Sequence, residues 1–285
     1  MTSPIERSTF DHLQPMTPDA VQQLIGRTTS TSDVVDDRRW AAYQRYFGID
    51  AGRERPLALH WLLFTELPRE LRSDGHPVQM LPFPTIPMPR RMWAGGNIVW
   101  HAPLMPGERL TRNSEITRAE MKTGGSGPFL LASVQHTIVG SSGPLIEERQ
   151  DVVFLSQESQ PGAGKRRDPS FVAEWSVGRS HSTVDLFQYS ALTLNSHRIH
   201  YDSPYTTGFE GYPALVVHGP LLATQLMQES ARRRSGAPRS LDYRAVAPVF
   251  VDEACSLTGR SRGSSDDLAV LGGDGGVRFT ATACY

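Results

Sequence analysis

Hydrophobic and polar positions alternate along the chain in two different rhythms, one helical and one strand-like. "TPDAVQQLIGR" opens on a Thr17-Pro18 step, an N-cap followed by a first helical residue, and runs out near Gly26. "DRRWAAYQRYFG" predicts a second helix stopped by Gly48. "PLALHWLLFTELPREL" predicts a third, buried one. The rhythm then breaks. Four prolines between Pro82 and Pro89 favour extended, polyproline-like backbone. Beyond them "NIVWHAPLMPGERLTRNSEITRAEMK", "PFLLASVQHTIVG" and "LIEERQDVVFLS" predict successive antiparallel strands separated by Pro-Gly and Gly-Ser turns.

Residues 156–170 are polar and rich in Gly and Pro, and they read as a linker between a half spanning 1–155 and a half spanning 171–285. In the second half Ser182 and Asp185 have the spacing of a capping box and open the helix "TVDLFQYSALTL". A further helix is expected from Pro220 to about Arg234, and the remainder returns to strands. The halves carry a weak repeat. Pro103 to Glu108 and Pro248 to Glu253 share a Pro-x4-Glu core, and "PLALHWLLFTEL" matches "ALVVHGPLLATQL" with His60 against His218. Each half thus offers a buried helix followed by antiparallel strands. A helix wrapped by a curved antiparallel sheet is a hotdog, and two copies make an α+β double hotdog, here with the first copy degenerate.

Composition narrows the function classes. The chain has 285 residues, 39% hydrophobic and 21% charged, with a net charge of −1, which gives no reason to expect nucleic acid or a membrane as partner. No apolar run approaches membrane-spanning length, and "MTSPIERSTFDH" lacks the basic-then-apolar pattern of a signal peptide, so a cytoplasmic location is expected. Two cysteines, Cys255 and Cys284, offer neither a disulfide framework nor a thiolate metal knot. Open sheet edges need covering, which makes a homodimer the expected assembly.

Candidate chemistry is concentrated in "NSHRIHYDSPYTTGFEGYPALVVHGPLLAT", residues 195–224. No metal is expected there: His197, His200 and Asp202 lack zinc spacing. A serine nucleophile has no G-x-S-x-G, and "GGDGG" has no helix after it to bind phosphate. Acid/base work fits better, because a histidine exchanges protons near neutral pH. His218-Gly219-Pro220 would open a helix whose free N–H groups suit an oxyanion, and side-chain-free Gly219 would admit a thioester oxygen. In the first repeat Trp61 stands at that place and blocks it. Plain structural roles compete: Asn195 capping the preceding helix, His197 as a hydrogen-bonding loop residue, His218 bonding backbone, Asp202 fixing the tautomer of a nearby His or capping the next turn, and Tyr201, Tyr205 and Tyr212 packing.

The stretch "YSALTLNSHRIHYDSPYTTGFEGYPALVVHGPLLATQLM" resembles the MaoC-like hydratase/dehydratase family. "LPFPTIPMPRRMWAGG" with "PLMPGERLTRNSEI" is similar to its fused double-hotdog branch of mesaconyl-C4-CoA (3-methylfumaryl-CoA) and itaconyl-CoA hydratases. The likeness spans about residues 15–285. It implies reversible hydration of a 2-enoyl-CoA thioester, CoA entering only as part of the substrate and no other cofactor being bound. The family's Asp/His pair follows D-x-N-x-x-H; here His200 matches the His, His197 the Asn, and Asn195 the Asp. An amide is no base at neutral pH. His200 is therefore expected to act as base, Asn195 to hold the water, and Gly219 N–H to hold the thioester oxygen. Arg90, Arg91 and the "ARRR" run at 231–234 are candidates for CoA phosphates, and Arg198 for a free acyl carboxylate. His197, Tyr201 and His218 complete the expected substrate-binding set. The other functions open to this reading are a (3R)-hydroxyacyl-thioester dehydratase on longer or carrier-bound chains, a thioesterase, and a non-catalytic acyl-CoA-binding subunit.

Overall fold

The computed structural model of the chain describes residues 16–50, 52–124, 127–156 and 171–285. The expected linker falls on residues that lie, after Ser156, outside the described ones, as does the N-terminal stretch read for a signal peptide. Strands β1 (Thr28–Val34), β2 (Arg90–Trp100), β3 (Arg109–Gly124), β4 (Gly127–Gly140) and β5 (Gly143–Leu155) belong to the first half. The second half supplies β6 (Trp175–Arg179), β7 (Ser240–Ala245), β8 (Cys255–Arg262), β9 (Ser265–Gly272) and β10 (Val277–Cys284). All are antiparallel neighbours in one sheet ordered β1-β3-β4-β5-β2-β7-β10-β9-β8-β6.

That order is the same read from either edge. Strands β1 to β5 correspond one by one to β6 to β10, and the halves join where β2 pairs with β7, Gly95 opposite Arg244 through Val99 opposite Ser240. The Pro-x4-Glu repeat explains itself here. Glu108 Oε2 accepts from Met105 N (3.2 Å) just before β3, and Glu253 Oε2 accepts from Phe250 N (3.0 Å) just before β8. Both glutamates close the same turn at equivalent places.

The expected helices form where their caps are. Thr17 caps α1 (Pro18–Gln22), Asp36 caps α2 (Asp37–Phe47), and Gly48 ends α2 in the left-handed conformation at φ 61°. The Ser182/Asp185 capping box opens α3 (Thr183–Thr193). A short α4 (Ser203–Gly208) follows, and then α5 (Gly219–Arg234), which packs on β7 to β10 of the second half. Burial of Leu221, Leu222, Leu226 and Met227 on α5 contributes on the order of 10 kcal/mol in gross terms. Its buried polar groups are matched: Gln228 donates to Arg55 O (3.0 Å) and Ser230 to Asp266 (2.7 Å).

The third helix expected in the first half is absent. "PLALHWLLFTELPREL" yields one 3-10 turn, Leu59–Leu62, and the chain reverses at Phe64, a non-glycine residue at φ 58°. Asp33 holds that reversal by accepting from Phe64 N (2.7 Å), while Arg39 pairs with Asp33. The apolar residues Leu57, Leu59, Leu62 and Leu63 are nonetheless buried, so the hydrophobic signal was sound and its periodicity misleading. In place of a central helix, Phe83 and Ile86 of the proline-rich segment pack with Val21 and Leu24 of the α1 region on β3, β4 and β5.

Candidate active site

His200 ends a 3-10 turn (Arg198–His200) and is buried, 7% exposed. Its Nδ1 lies 2.7 Å from the carbonyl oxygen of Val216, to which it donates. That bond sets the tautomer and leaves Nε2 with a lone pair and no hydrogen-bond partner among the described residues. The ring stacks on His218 at 3.6 Å between centroids and stands edge-on to His197 at 5.5 Å. Burial with no carboxylate beside it pushes the His200 imidazole down to about 4, so it is neutral at pH 7.

The first half contributes a second wall. Residues 72–76 form a tight turn in which Arg72 N donates to His76 O (2.8 Å) and Gly75 N to Arg72 O (2.9 Å). This turn docks on the motif: Arg198 N donates to Asp74 O (2.8 Å), Ser196 Oγ to Gly75 O (2.5 Å), and Arg198 Nη1 to Ser73 O (2.9 Å). Gly75 sits at φ 86°, and a Cβ there would run into the Ser196 carbonyl. The docking brings His76 onto His197, centroids 3.8 Å apart, with its Nδ1 3.0 Å from Asp74 Oδ2. Both imidazoles are held well below their usual value, first by burial and then by neighbouring cations and histidines. Nothing in "SDGHP" announced this pair, 120 residues before the motif, because its meaning lies in a contact between halves.

Asp74, His76 and His197 have donor atoms mutually within 4.8 Å, the arrangement a metal ion would need. However, His76 Nδ1 is already occupied by Asp74, and the Arg91 and Arg72 charges act on the same group. Surplus positive charge suits an anion better than a cation.

Asn195 is partly buried at the end of α3. Its Oδ1 accepts from His197 N (3.1 Å), which leaves its amide N–H groups to donate. The left-handed residue that ends α3 is Leu194, φ 49°, so the conformational capping role expected for Asn195 belongs to its neighbour. His218 precedes α5, with Nε2 2.9 Å from Ser190 Oγ. Gly219 is the first residue of α5, and its N–H meets no acceptor among the described residues. The space beside its Cα is filled: a Cβ there would lie 2.8 Å from Cε3 of Trp93. Glycine is thus required for packing by Trp93, and the free N–H is what remains for a ligand.

Other expected contacts are committed elsewhere. Arg198 gives Nε (2.9 Å) and Nη2 (2.7 Å) to Asp202, which also caps α4 by accepting from Tyr205 N. Arg90 gives Nε to Glu210 (2.7 Å) and Nη2 to its carbonyl oxygen. Tyr201 is 49% exposed and bonds Ser196 O, bracing the loop. Arg232, Arg233 and Arg234 pair with Glu54, Glu229 and Asp266 at the end of α5. Arg91 stands apart: its hydrogen-bonding neighbour among the described residues is the Met80 thioether. In the first half Trp61, the residue matched to Gly219 in the sequence repeat, donates to buried Glu148 (2.8 Å) and lies within a 3-10 turn and not at a helix N-terminus.

The sequence profile of the family described as hydroxyacyl-thioester dehydratase type 2 matches residues 58–251. The chain belongs to that family. Mesaconyl-C(4)-CoA hydratase of Chloroflexus aurantiacus is 39% identical over 236 residues, covering 80% of this chain and 82% of the relative. The mitochondrial hydroxyacyl-thioester dehydratase type 2 of Schizosaccharomyces pombe is 27% identical over 68% of this chain and 74% of its own. A MaoC-like dehydratase from Phytophthora capsici superposes with a TM-score of 0.72 at 14% identity, over 93% of this chain and 97% of that one. A Mycobacterium tuberculosis protein with a double hotdog fold gives 0.57 at 13% identity, over 96% and 97%. The fold is a double hotdog, and this member of the hydroxyacyl-thioester dehydratase type 2 family is a carbon–oxygen lyase that adds water to, or removes it from, a thioester-linked acyl chain. No helix among the described residues is long and apolar enough to cross a membrane.

Proposed function

We propose that the chain hydrates the double bond of a short C4-dicarboxylyl-CoA thioester such as mesaconyl-C4-CoA, with itaconyl-CoA a related candidate. The observation that carries the reaction is the tautomer lock on His200, whose Nε2 is left free in a buried cluster beside the α5 N-terminus. His200 Nε2 removes a proton from water as the water oxygen attacks the β-carbon. Electron density moves into the thioester carbonyl, whose oxygen is held by the Gly219 N–H and the helix terminus behind it. Asn195 donates to the attacking water and holds it. The protonated His200 then returns its proton to the α-carbon on the same face. These steps need only side chains and backbone of this chain, with CoA carried in by the substrate.

Identity to the Chloroflexus hydratase supports the dicarboxylyl substrate, while the family profile supports a second reading, dehydration of (3R)-hydroxyacyl thioesters on longer or carrier-bound chains. The test is to follow conjugated enoyl-thioester absorbance with mesaconyl-C4-CoA, crotonyl-CoA and a long-chain 2-enoyl thioester. Turnover of the first above the others supports the proposal; preference for the long chain supports the second reading. Thiol release would point to a thioesterase, and binding without turnover to a non-catalytic subunit. The His200→Ala variant is expected to lose about 10²–10⁴-fold in kcat. We further propose a cytoplasmic homodimer. Val184 and Phe187 stand exposed on α3, 60% and 65%, as apolar surface that a second copy would cover. Light scattering on the purified chain tests the dimer.

A further inference from the structure

Four guanidinium groups are gathered around the wall that the first half presents to the motif: Arg72, Arg90, Arg91 and Arg198. Three carboxylates meet them. Arg90 pairs with Glu210, Arg198 with Asp202, and Arg72 lies 3.9 Å from Asp74. Arg91 is the cation in excess. No carboxylate oxygen lies within 4.0 Å of it among the described residues, and its hydrogen-bonding neighbour, the Met80 sulfur at 2.6 Å, is a weak acceptor. A partly buried guanidinium whose only carboxylate influence among the described residues is the longer-range attraction of Asp74, already shared with Arg72 and His76, is costly.

Its position is specific. Arg91 and Trp93 are two residues apart on β2, before the irregularity that separates Trp93 from Gly95, so their side chains leave the sheet on the same face. Trp93 packs over Gly219, where the thioester oxygen is to be held. Arg91 acts electrostatically on His76 and on His197, on the side where His200 meets the water. The chemistry of the substrate makes the same demand. In a C4-dicarboxylyl thioester of the mesaconyl-C4 type the free carboxylate is attached to the β-carbon, the carbon that water attacks. A receptor for it must therefore stand near the base, away from the CoA phosphates.

We propose that Arg91 is the carboxylate receptor of this site, binding the free carboxylate on the β-carbon and so selecting dicarboxylyl thioesters over uncharged acyl chains. This rests on the hydratase reading given above and names the residue that sets its substrate class. The planar guanidinium offers paired donors to both carboxylate oxygens, which a lysine cannot reproduce. Arg91 is thereby removed from the expected set of CoA-phosphate ligands.

The test separates binding from turnover. Succinyl-CoA and butyryl-CoA are saturated, cannot be hydrated, and differ in the terminal carboxylate. Titration calorimetry on the full chain is expected to give succinyl-CoA at least about a tenfold preference, and Arg91→Met is expected to abolish it with butyryl-CoA affinity unchanged. Thermal unfolding checks that the variant is folded, and Arg91→Lys is expected to recover only part of the preference. The inference is overturned if the unsubstituted chain shows no preference, if the preference survives in Arg91→Met, or if both ligands weaken equally, as loss of a phosphate contact or of the fold would produce. In parallel, hydration of crotonyl-CoA but not mesaconyl-C4-CoA by the unsubstituted chain would sink the substrate reading while leaving the calorimetric result to judge Arg91 alone.

Discussion

His200 owes its character to what surrounds it, a carbonyl oxygen and the imidazoles of His218 and His197 in place of a carboxylate. Its imidazole, held near 4, is unprotonated across the physiological range, so the acid limb of kcat/KM is expected to fall with an apparent pKa close to 4 and not near 6.5. Stability follows the same shift with a definite sign. Well above pH 6.5 neither folded nor unfolded His200 is charged. As pH falls below 6.5 the unfolded chain takes up the proton first, and stability declines until the folded site titrates near 4, a loss of about 3 kcal/mol from this residue. His76, His197 and His218 are shifted in the same direction and add to the decline. Urea midpoints at pH 7.5 and pH 5 measure it; equal midpoints would contradict the assignment. Asn195→Asp places a carboxylate beside the same cluster, and it is expected to move the acid limb upward, because a nearby negative charge favours imidazolium. It was the resemblance to the family's D-x-N-x-x-H pattern that pointed to His200 and Asn195 in the sequence. His76 was invisible there, since its partner Asp74 and its neighbour His197 acquire meaning only once residues 72–76 dock on the motif.

Elements were legible where their ends were marked. Thr17-Pro18, Asp36 with Gly48, and the Ser182/Asp185 box each set a helix terminus that the fold reproduces. Strands β1 and β6 went unread because they are the two edges of the sheet, and an edge strand such as "TTSTSDV" needs no apolar alternation. The third helix fails for the opposite reason: the apolar run Leu57 to Leu63 records burial and says nothing about period. The start of α5 combines both lessons. Gly219 was expected to be glycine for the ligand, yet Trp93 occupies the space its side chain would need. Gly219→Ala must displace an indole that stacks on Tyr243 at 4.6 Å, and the expected cost is about 1–3 kcal/mol. Thermal unfolding should show that loss together with a lowered kcat/KM, as the shifted Trp93 disturbs the free N–H beside it. An alanine variant with unchanged activity would remove this N–H from the site.

On the scale of the whole molecule the two halves are related by their strand order but not by their work. The second half holds the helix, the free N–H and His200; the first has given up its helix and supplies Asp74, His76 and Arg91 instead. The β2–β7 pairing sets their relative placement, and Gly96 permits it, since a side chain there would collide with Tyr243. Residues 171–285 alone would retain His200 and α5 yet lose the wall formed by residues 72–91. They would also expose β7 along the register it now shares with Gly95 to Val99, a ready template for another strand. The isolated second half is therefore expected to self-associate and to hydrate no dicarboxylyl thioester, while mixing it with residues 1–156 restores part of the activity. Size-exclusion chromatography and the enoyl-thioester assay measure both outcomes. Undiminished turnover by a monomeric second half would show that the first half contributes support for the fold and no part of the chemistry.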